Sequence, residues 1–306
     1  MYLGIEIGGT KLQLGVGPGD GTLVAEPVRL PVDRAGGAAG IRAALASAAR
    51  ELIAKHDVQA VGIGFGGPCD AARGRTITSH QIAGWDDFPL VDWCRTELGL
   101  PCKLGNDADL AALAEARFGA GRGNDPVFYV TVGTGIGGGF VRGGRLYHGY
   151  GPAAAEIGHL RPGLLADPQA TVESISSGLA IERAAAALVG DSIFNGPIFA
   201  KTGATKLTAR ELAWAAEQGH EPSQAILSRA IDVLGWALAQ MTTLLAPQAI
   251  IVGGGVGLLG EAAFYKPLRA ATERYVFPPL KGSYEILPPA LGEAMVVHGA
   301  LALAAE

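Results

Sequence analysis

Short apolar runs alternate with glycine-rich turns and with segments of helical spacing. Residues 3–7 and 12–16 are apolar runs that flank Gly8-Gly9-Thr10-Lys11, a pattern typical of a β-hairpin. Residues 38–56 show the apolar spacing of a helix, and residues 60–65 that of a buried strand. Because strands alternate with helices, the pattern predicts an α/β fold with parallel pairing.

The same alternation continues along the chain. Further strands are predicted at residues 23–30, 102–104, 127–132, 249–252 and 284–287, and further helices at residues 86–98, 108–118, 175–189, 208–218, 223–245, 261–274 and 294–304. After residues 127–132, Gly133-Thr134-Gly135 and another apolar run repeat the opening hairpin. This repeat predicts two α/β lobes, a small one at residues 1–120, to which residues 294–306 return, and a large one at residues 121–293.

Composition and charge exclude several classes of protein. The 306 residues are 49% hydrophobic and 17% charged, enough for sizeable cores. A net charge of −5 without a basic block argues against nucleic-acid binding. No apolar stretch is long enough to span a bilayer, and residues 1–6 lack the basic start of a signal peptide. Cys69, Cys94 and Cys102 form an odd set without metal-ligand spacing, so a reduced, cytoplasmic protein is expected.

The two glycine turns are candidate phosphate sites. A turn without side chains lets backbone N–H groups approach phosphate oxygens, and a threonine adds a hydroxyl. Gly8-Gly9-Thr10-Lys11 and Gly133-Thr134-Gly135 both have this composition, and Lys11 adds a positive charge. For a single such turn, a tight hairpin that needs positive φ is the better explanation, but two similar turns, one in each half of the chain, favour a phosphate-binding function.

A different nucleotide site is indicated by the spacing G-x-G-x-x-G. It occurs at residues 62–67, 133–138 and 255–260, and the last copy follows a predicted strand and precedes a helix, with Glu273 further on. A dinucleotide-dependent oxidoreductase therefore stays open as an alternative. No Walker A sequence is present, which disfavours an ordinary P-loop NTPase.

Polar residues of four types follow predicted strands or lie in glycine-rich stretches. Asp107, after Asn106, is either a helix cap or a general base for a substrate hydroxyl. Glu156, His159 and Glu173 can hold the vicinal hydroxyls of a sugar. Glu156 and His159 could instead ligate zinc, although no cysteine lies nearby to complete a structural site.

Taken together, these motifs resemble those of the ROK family (repressors, open reading frames and sugar kinases). Residues 4–11 are similar to its first phosphate motif, 105–108 to its catalytic Asn-Asp segment and 132–139 to its second phosphate motif. Residues 156–159 resemble its sugar-binding signature, and residues 251–255 its adenosine motif. Five motifs in the family order make the resemblance specific over nearly the whole chain.

The resemblance implies an actin-like ATPase fold of the hexokinase type, with two lobes and a central interlobe cleft. It implies transfer of a phosphoryl group from ATP to a hexose of the glucose or fructose type, usually at the 6-hydroxyl, with Asp107 as the base. The implied site residues are Asn106, Glu156, His159 and Glu173, with Gly67, for the sugar; Gly8, Gly9, Thr10, Lys11, Gly133, Thr134 and Gly135 for phosphates; and Gly254 and Gly255 for the nucleoside. Mg²⁺ would bridge the phosphates mostly through water, with Glu6 nearby, and a homodimer is expected.

Two departures from the family pattern limit what the resemblance implies: the missing cysteines, and Glu6, which stands where many kinases of this fold have Asp. ROK members usually carry a cysteine cluster after the sugar signature, whereas residues 160–172 contain no cysteine, so no zinc is expected. The identity of the sugar stays open, as does the choice between ATP and polyphosphate as donor. No helix-turn-helix precedes residues 4–11, so a repressor is not expected, and a catalytically silent sugar sensor stays as an alternative.

Overall fold

The computed structural model describes residues 1–79, 81–151, 153–163, 167–195 and 206–306. These residues divide into two compact units. The first contains Met1–Tyr129, Gly139–Ala155 and Pro289–Glu306, and the second contains Val130–Gly138 and Glu156–Pro288. The lobe boundary at residue 120 stays a prediction.

The first unit is built on a sheet that begins with the predicted hairpin. Its strands and those of a small ribbon are β1 (Tyr2–Ile7), β2 (Leu12–Gly17), β3 (Val28–Leu30), β4 (Ala60–Phe65), β5 (Cys69–Asp70), β6 (Arg75–Thr76) and β7 (Cys102–Asn106). The sheet order is β3-β2-β1-β4-β7, with β1 antiparallel to β2 and parallel to β4, and β4 parallel to β7. The opening hairpin is thus confirmed, but the strand expected at 23–30 is shorter.

Three helices of the first unit follow the predicted order. They are α1 (Gly37–Lys55), α2 (Leu90–Leu98) and α3 (Asp107–Phe118). α2 begins later than the predicted residue 86, because Pro89 disfavours helical backbone at the residue before it. The Asn106 side chain caps α3 by accepting hydrogen bonds from the N–H groups of Ala108 and Asp109.

Further strands form a second sheet. They are β8 (Val127–Val132), β9 (Ile136–Arg142), β10 (Arg145–Leu146), β11 (Ala249–Gly253) and β12 (Glu285–Leu287), in the order β10-β9-β8-β11-β12. The helices that follow are α4 (Val172–Ser176), α5 (Gly178–Ala185), α6 (Ala209–Glu217), α7 (Glu221–Leu245), α8 (Lys266–Tyr275) and α9 (Met295–Ala305). A π-helical turn, Glu261–Tyr265, leads into α8.

The prediction of a single helix at residues 175–189 is wrong, because the structure has two separate helices, α4 and α5, in this region. The backbone of Ser177 is extended, with φ −70° and ψ 159°, and separates α4 from α5. The Ser177 hydroxyl accepts a hydrogen bond from the Ala180 N–H at 3.1 Å and so caps α5. A serine that caps a new helix competes with continuation of the previous one.

In the first unit, α9 lies on the β1–β4 sheet where glycines replace side chains. A Cβ on Gly4 would approach the Val297 carbonyl oxygen to 2.7 Å, and one on Gly15 would approach Val297 Cγ1 to 2.7 Å. The opposite face of the sheet packs on buried side chains of α1 such as Ile41 and Leu45. This packing fixes the strand ends that carry the candidate site.

Among the helices that the structure describes, none combines the length and the apolar character that a membrane span requires.

Candidate active site

The carboxyl ends of three parallel strands lie side by side in the first unit. Ile7 pairs with Phe65, and Phe65 pairs with Asn106, so the residues that follow emerge at one edge of the sheet. A Cβ on Gly66 would lie 3.2 Å from the Gly8 Cα and 3.3 Å from Asp107 Oδ2. The first glycine turn and Asp107 therefore border the same glycine.

The first glycine turn closes through its own backbone. The Gly8 N–H donates to the Lys11 carbonyl at 2.9 Å, and the Arg34 guanidinium donates to the Gly9 carbonyl at 3.2 Å. Thr10, at the tip, is exposed. A Cβ at Gly9 would lie 1.9 Å from Gln81 Oε1, so any side chain at that position would require the Gln81 side chain to move.

Glu6 and Lys11 form an ion pair beneath this turn. Glu6 Oε1 lies 3.1 Å from Lys11 Nζ, which also donates to the Glu293 carbonyl at 2.7 Å. Glu6 is only 6% exposed, and its Oε2 is buried without a hydrogen-bond partner among the described residues. Burial raises the pKa of Glu6 to about 7, against the opposing effect of Lys11.

Asn106 and Asp107 occupy the end of β7 and the start of α3. Asn106 Nδ2 donates to the Gly67 carbonyl at 3.0 Å, while its Oδ1 caps α3. These contacts orient Asn106 and tie Gly67 to it. The Asp107 Oδ1 accepts a hydrogen bond from the Ala108 N–H at 2.9 Å, as a helix-capping residue would. Because Asp107 is only half-buried, its carboxylate can also contact a substrate.

The second glycine turn belongs to the second unit and is held by two later residues. The Gly133 N–H donates to the Gly135 carbonyl at 2.9 Å, and the Gly133 carbonyl accepts the Gly178 N–H at 2.7 Å. Glu173 Oε2 accepts the Ile136 N–H at 2.7 Å, and a Cβ on Gly135 would lie only 2.5 Å from that oxygen. Glycine at position 135 therefore lets the Glu173 carboxylate support the turn.

Glu156 precedes a short 3-10 turn, Ile157–His159, in the same unit, and His159 is the last residue of that turn. Burial raises the pKa of Glu156, with a further contribution from Glu173, while His159 lowers it. The Glu156 carboxyl group therefore lies close enough to His159 and Glu173 for their charges to affect its pKa. Ala155, just before Glu156, has a left-handed φ of 60°, a conformation that alanine rarely adopts.

A cavity of about 960 Å³ in the second unit brings two predicted motifs together. Gly133 and Thr134 of the second turn and Gly255 of the adenosine motif all line it. Gly254 has a φ of 89°, and a Cβ there would lie 2.5 Å from the Val132 carbonyl oxygen. At Gly255, by contrast, an added Cβ meets no described atom within 4 Å and would point into open space. A cavity of this size accommodates a nucleotide.

Other cavity residues were missed by sequence reasoning. They include two cations and three carboxylates, Lys206, Arg210, Glu182, Glu211 and Glu217, together with Trp214 and Leu258. Only the capping pair Thr208 and Glu211 marks this region in the sequence, and that pair signals a helix start rather than a ligand. Since charges of both signs line the cavity, its lining alone does not select an anion.

In the described ranges, no group of three or more His, Cys, Asp or Glu side chains is suited to hold a metal ion. Glu6 offers one oxygen, Oε2, without a hydrogen-bond partner among the described residues, while Lys11 Nζ already contacts its other oxygen. Glu6 therefore fits a water of a Mg²⁺ shell better than direct ligation.

The model of the ROK family matches residues 2–306. The chain belongs to the ROK family. Glucokinase of Thermotoga maritima is 31% identical over 311 residues, a match that covers 99% of this chain and 97% of that protein.

Solved ROK structures match over the same length. The ROK hexokinase of Thermus thermophilus has a TM-score of 0.83 and 31% identity, and covers 99% of this chain and 97% of its own. A ROK glucokinase of Streptomyces griseus, in complex with glucose and AMPPNP, has a TM-score of 0.80 and 32% identity. This match covers 99% of this chain and 98% of the glucokinase chain. The predicted actin-like ATPase fold and the predicted class, a sugar kinase, are confirmed. ROK membership does not support the oxidoreductase alternative.

Proposed function

We propose that this ROK kinase transfers the γ-phosphoryl group of ATP to the 6-hydroxyl of a hexose of the glucose or fructose type, with Asp107 as the general base. The observation that carries the proposal is the cavity shared by Gly133, Thr134 and Gly255. One phosphate motif and the nucleoside motif open into a single space, which is the arrangement a nucleotide requires.

The position of Asp107 supports its assignment as the base. Its carboxylate lies at the carboxyl edge of the first sheet beside Gly66, next to the first glycine turn. Asp107 accepts the proton of the sugar hydroxyl as the new oxygen–phosphorus bond forms and the bond to the ADP oxygen breaks. Backbone N–H groups of the glycine turns stabilise negative charge on the phosphoryl oxygens.

Mg²⁺, when bound, neutralises charge on the phosphates. Glu6 would hold a water of its shell through Oε2, and Lys11 keeps the neighbouring oxygen in place. Asn106, Glu156, His159, Glu173 and Gly67 would bind sugar hydroxyls. In this assignment, the hydrogen bonds of Asn106 to the Gly67 carbonyl and to the Ala108 N–H orient its side chain. The second hydrogen of its amide group is then the donor that binds the sugar.

The test is a turnover assay with a panel of hexoses, with ATP and polyphosphate compared as donors. ATP-dependent formation of a hexose 6-phosphate supports the proposal. Sugar binding without turnover of any donor would instead identify a silent sensor. Phosphorylation at another hydroxyl would refute the 6-hydroxyl assignment.

The nucleotide part is tested by Gly255→Val. Because an added Cβ at Gly255 meets no described atom, the variant should fold normally while its side chain enters the cavity and raises the KM for ATP at least about tenfold. Gly40→Val is the matched control, since Gly40 on α1 also has open space around it. If Gly255→Val and Gly40→Val have the same KM for ATP, nucleotide binding in this cavity is refuted.

A further inference from the structure

Cys94 and Cys102 place their sulfur atoms in direct contact. Cys94 lies on α2 and Cys102 begins β7, and the two Sγ atoms are 3.0 Å apart. Both side chains are buried and neither is in a disulfide. A disulfide bond is about 2.05 Å long, so the sulfur atoms need to approach by only about 1 Å.

Small oxidants have a route to this pair. A cavity of about 640 Å³ in the first unit is lined by Cys102, together with Asn106 and Asp109. The third cysteine, Cys69, lines the same cavity. A molecule small enough to enter this space therefore meets Cys102, although the residue as a whole is buried.

We propose that Cys94 and Cys102 are a site of reversible oxidation, at which a hydroperoxide converts the two thiols to an intramolecular disulfide. The contact between the two sulfur atoms carries this inference, and it is independent of the kinase assignment. Transient disulfides in reducing compartments are usually redox-sensing or catalytic rather than structural.

The chemistry balances in two steps. The Cys102 thiolate attacks the peroxide oxygen, which yields a sulfenic acid at Cys102 and releases hydroxide, or an alkoxide from an organic peroxide. The Cys94 sulfur then attacks the Cys102 sulfur, its proton leaves with the hydroxyl as water, and the disulfide forms. Two thiols lose two electrons, and the peroxide is reduced by the same two.

The surroundings of each sulfur assign these roles. Cys102 lines the cavity whereas Cys94 does not, so Cys102 is the sulfur that a peroxide meets first. The hydrogen bond with Cys102 and burial raise the pKa of Cys94, so Cys94 keeps its proton for the second step. Burial also raises the pKa of Cys69, to about 12, which makes Cys69 a poor nucleophile in the same cavity. Cys69 therefore serves as an internal control, a thiol that the peroxide can reach but with which it should not react.

The experiment treats the native full chain with hydrogen peroxide, unfolds it, blocks free thiols with N-ethylmaleimide and maps the peptides by mass spectrometry. We expect a Cys94–Cys102 linked peptide that has lost two hydrogens and is restored by dithiothreitol. The number of alkylated thiols should fall from three to one, since two of the three cysteines are consumed. Three alkylated thiols after treatment, a link that includes Cys69, or irreversible sulfinic acid at Cys102 would overturn the proposal.

Serine variants assign the bond. Cys94→Ser and Cys102→Ser should abolish the linked peptide, whereas Cys69→Ser should retain it at the yield of the unmodified chain. Because the peptide map of the unmodified chain is decisive by itself, the proposal stays testable even if one variant fails to fold.

Discussion

Glu173 supports the second glycine turn by accepting the N–H of Ile136 at 2.7 Å. The same carboxylate is a predicted ligand of the sugar, and its charge raises the pKa of Glu156. One oxygen of Glu173 is thus committed to the turn, and a methyl group at Gly135 would press against it. We infer that Glu173 links the sugar site to the phosphate site within the second unit.

Glu173→Ala should weaken nucleotide binding even when no sugar is present. The substitution removes a charge-assisted hydrogen bond worth about 1.5–3 kcal/mol. If this bond orders the turn only when nucleotide is bound, its loss lowers the affinity about 10- to 150-fold. Calorimetric titration with AMPPNP measures this effect directly.

Glu173→Gln is the matched variant. Its amide oxygen can still accept the Ile136 N–H, so nucleotide affinity should stay near that of the parent while the KM for the sugar rises. If the alanine variant binds AMPPNP as tightly as the parent, Glu173 does not order the turn.

Asp107→Asn should leave sugar binding nearly intact and reduce turnover at least about a hundredfold, because the amide cannot accept the hydroxyl proton. Turnover and sugar affinity are measured separately, by ADP release and by calorimetry. Asp109→Asn, which removes a carboxylate from the same first turn of α3, controls for lost helix-dipole stabilisation. Equal turnover in the two variants would exclude Asp107 as the base.

The parts of this structure that were predictable from sequence are local. The hairpin at Gly8 and the turn at Gly133 follow from apolar runs that stop at glycines, and Asn106-Asp107 follows from a strand that meets a helix. The Glu173 bond to Ile136 was not predictable, because it joins residues 37 positions apart that share no pattern. Lys206 was missed for the same reason, since tertiary packing alone brings it to the cavity.

Glu6 should make stability depend on pH. Burial raises its pKa from 4.5 to about 7 in the folded chain, so between these values the folded state holds a proton that the unfolded state releases. Stability contributed by Glu6 is therefore fully present below about pH 4.5, falls as pH rises, and is lowest above about pH 7, a loss of about 3 kcal/mol at most.

Glu6→Gln tests this expectation because glutamine resembles the protonated acid and does not titrate. The gain in melting temperature of Glu6→Gln over the parent should be larger at about pH 8 than at about pH 5. Glu51→Gln, on the exposed face of α1, should give the same small difference at both pH values. A gain for Glu6→Gln that is independent of pH would show that Glu6 does not titrate in this range.

Glu115 is fully buried in the first unit and fastens the segment that enters α9. Its carboxylate accepts the N–H groups of Ala120 at 2.8 Å, Ala290 at 3.0 Å and Leu291 at 2.9 Å. Glu115→Ala leaves these donors without their acceptor. We therefore expect the free energy of unfolding to fall by about 3 kcal/mol or more, which is measured as a lower melting temperature. Glu115→Gln, which keeps one acceptor oxygen, should lose less, and the exposed Glu51→Ala should change stability by no more than about 0.5 kcal/mol. If Glu115→Ala and Glu51→Ala have the same melting temperature, water has replaced the carboxylate and Glu115 does not hold the segment.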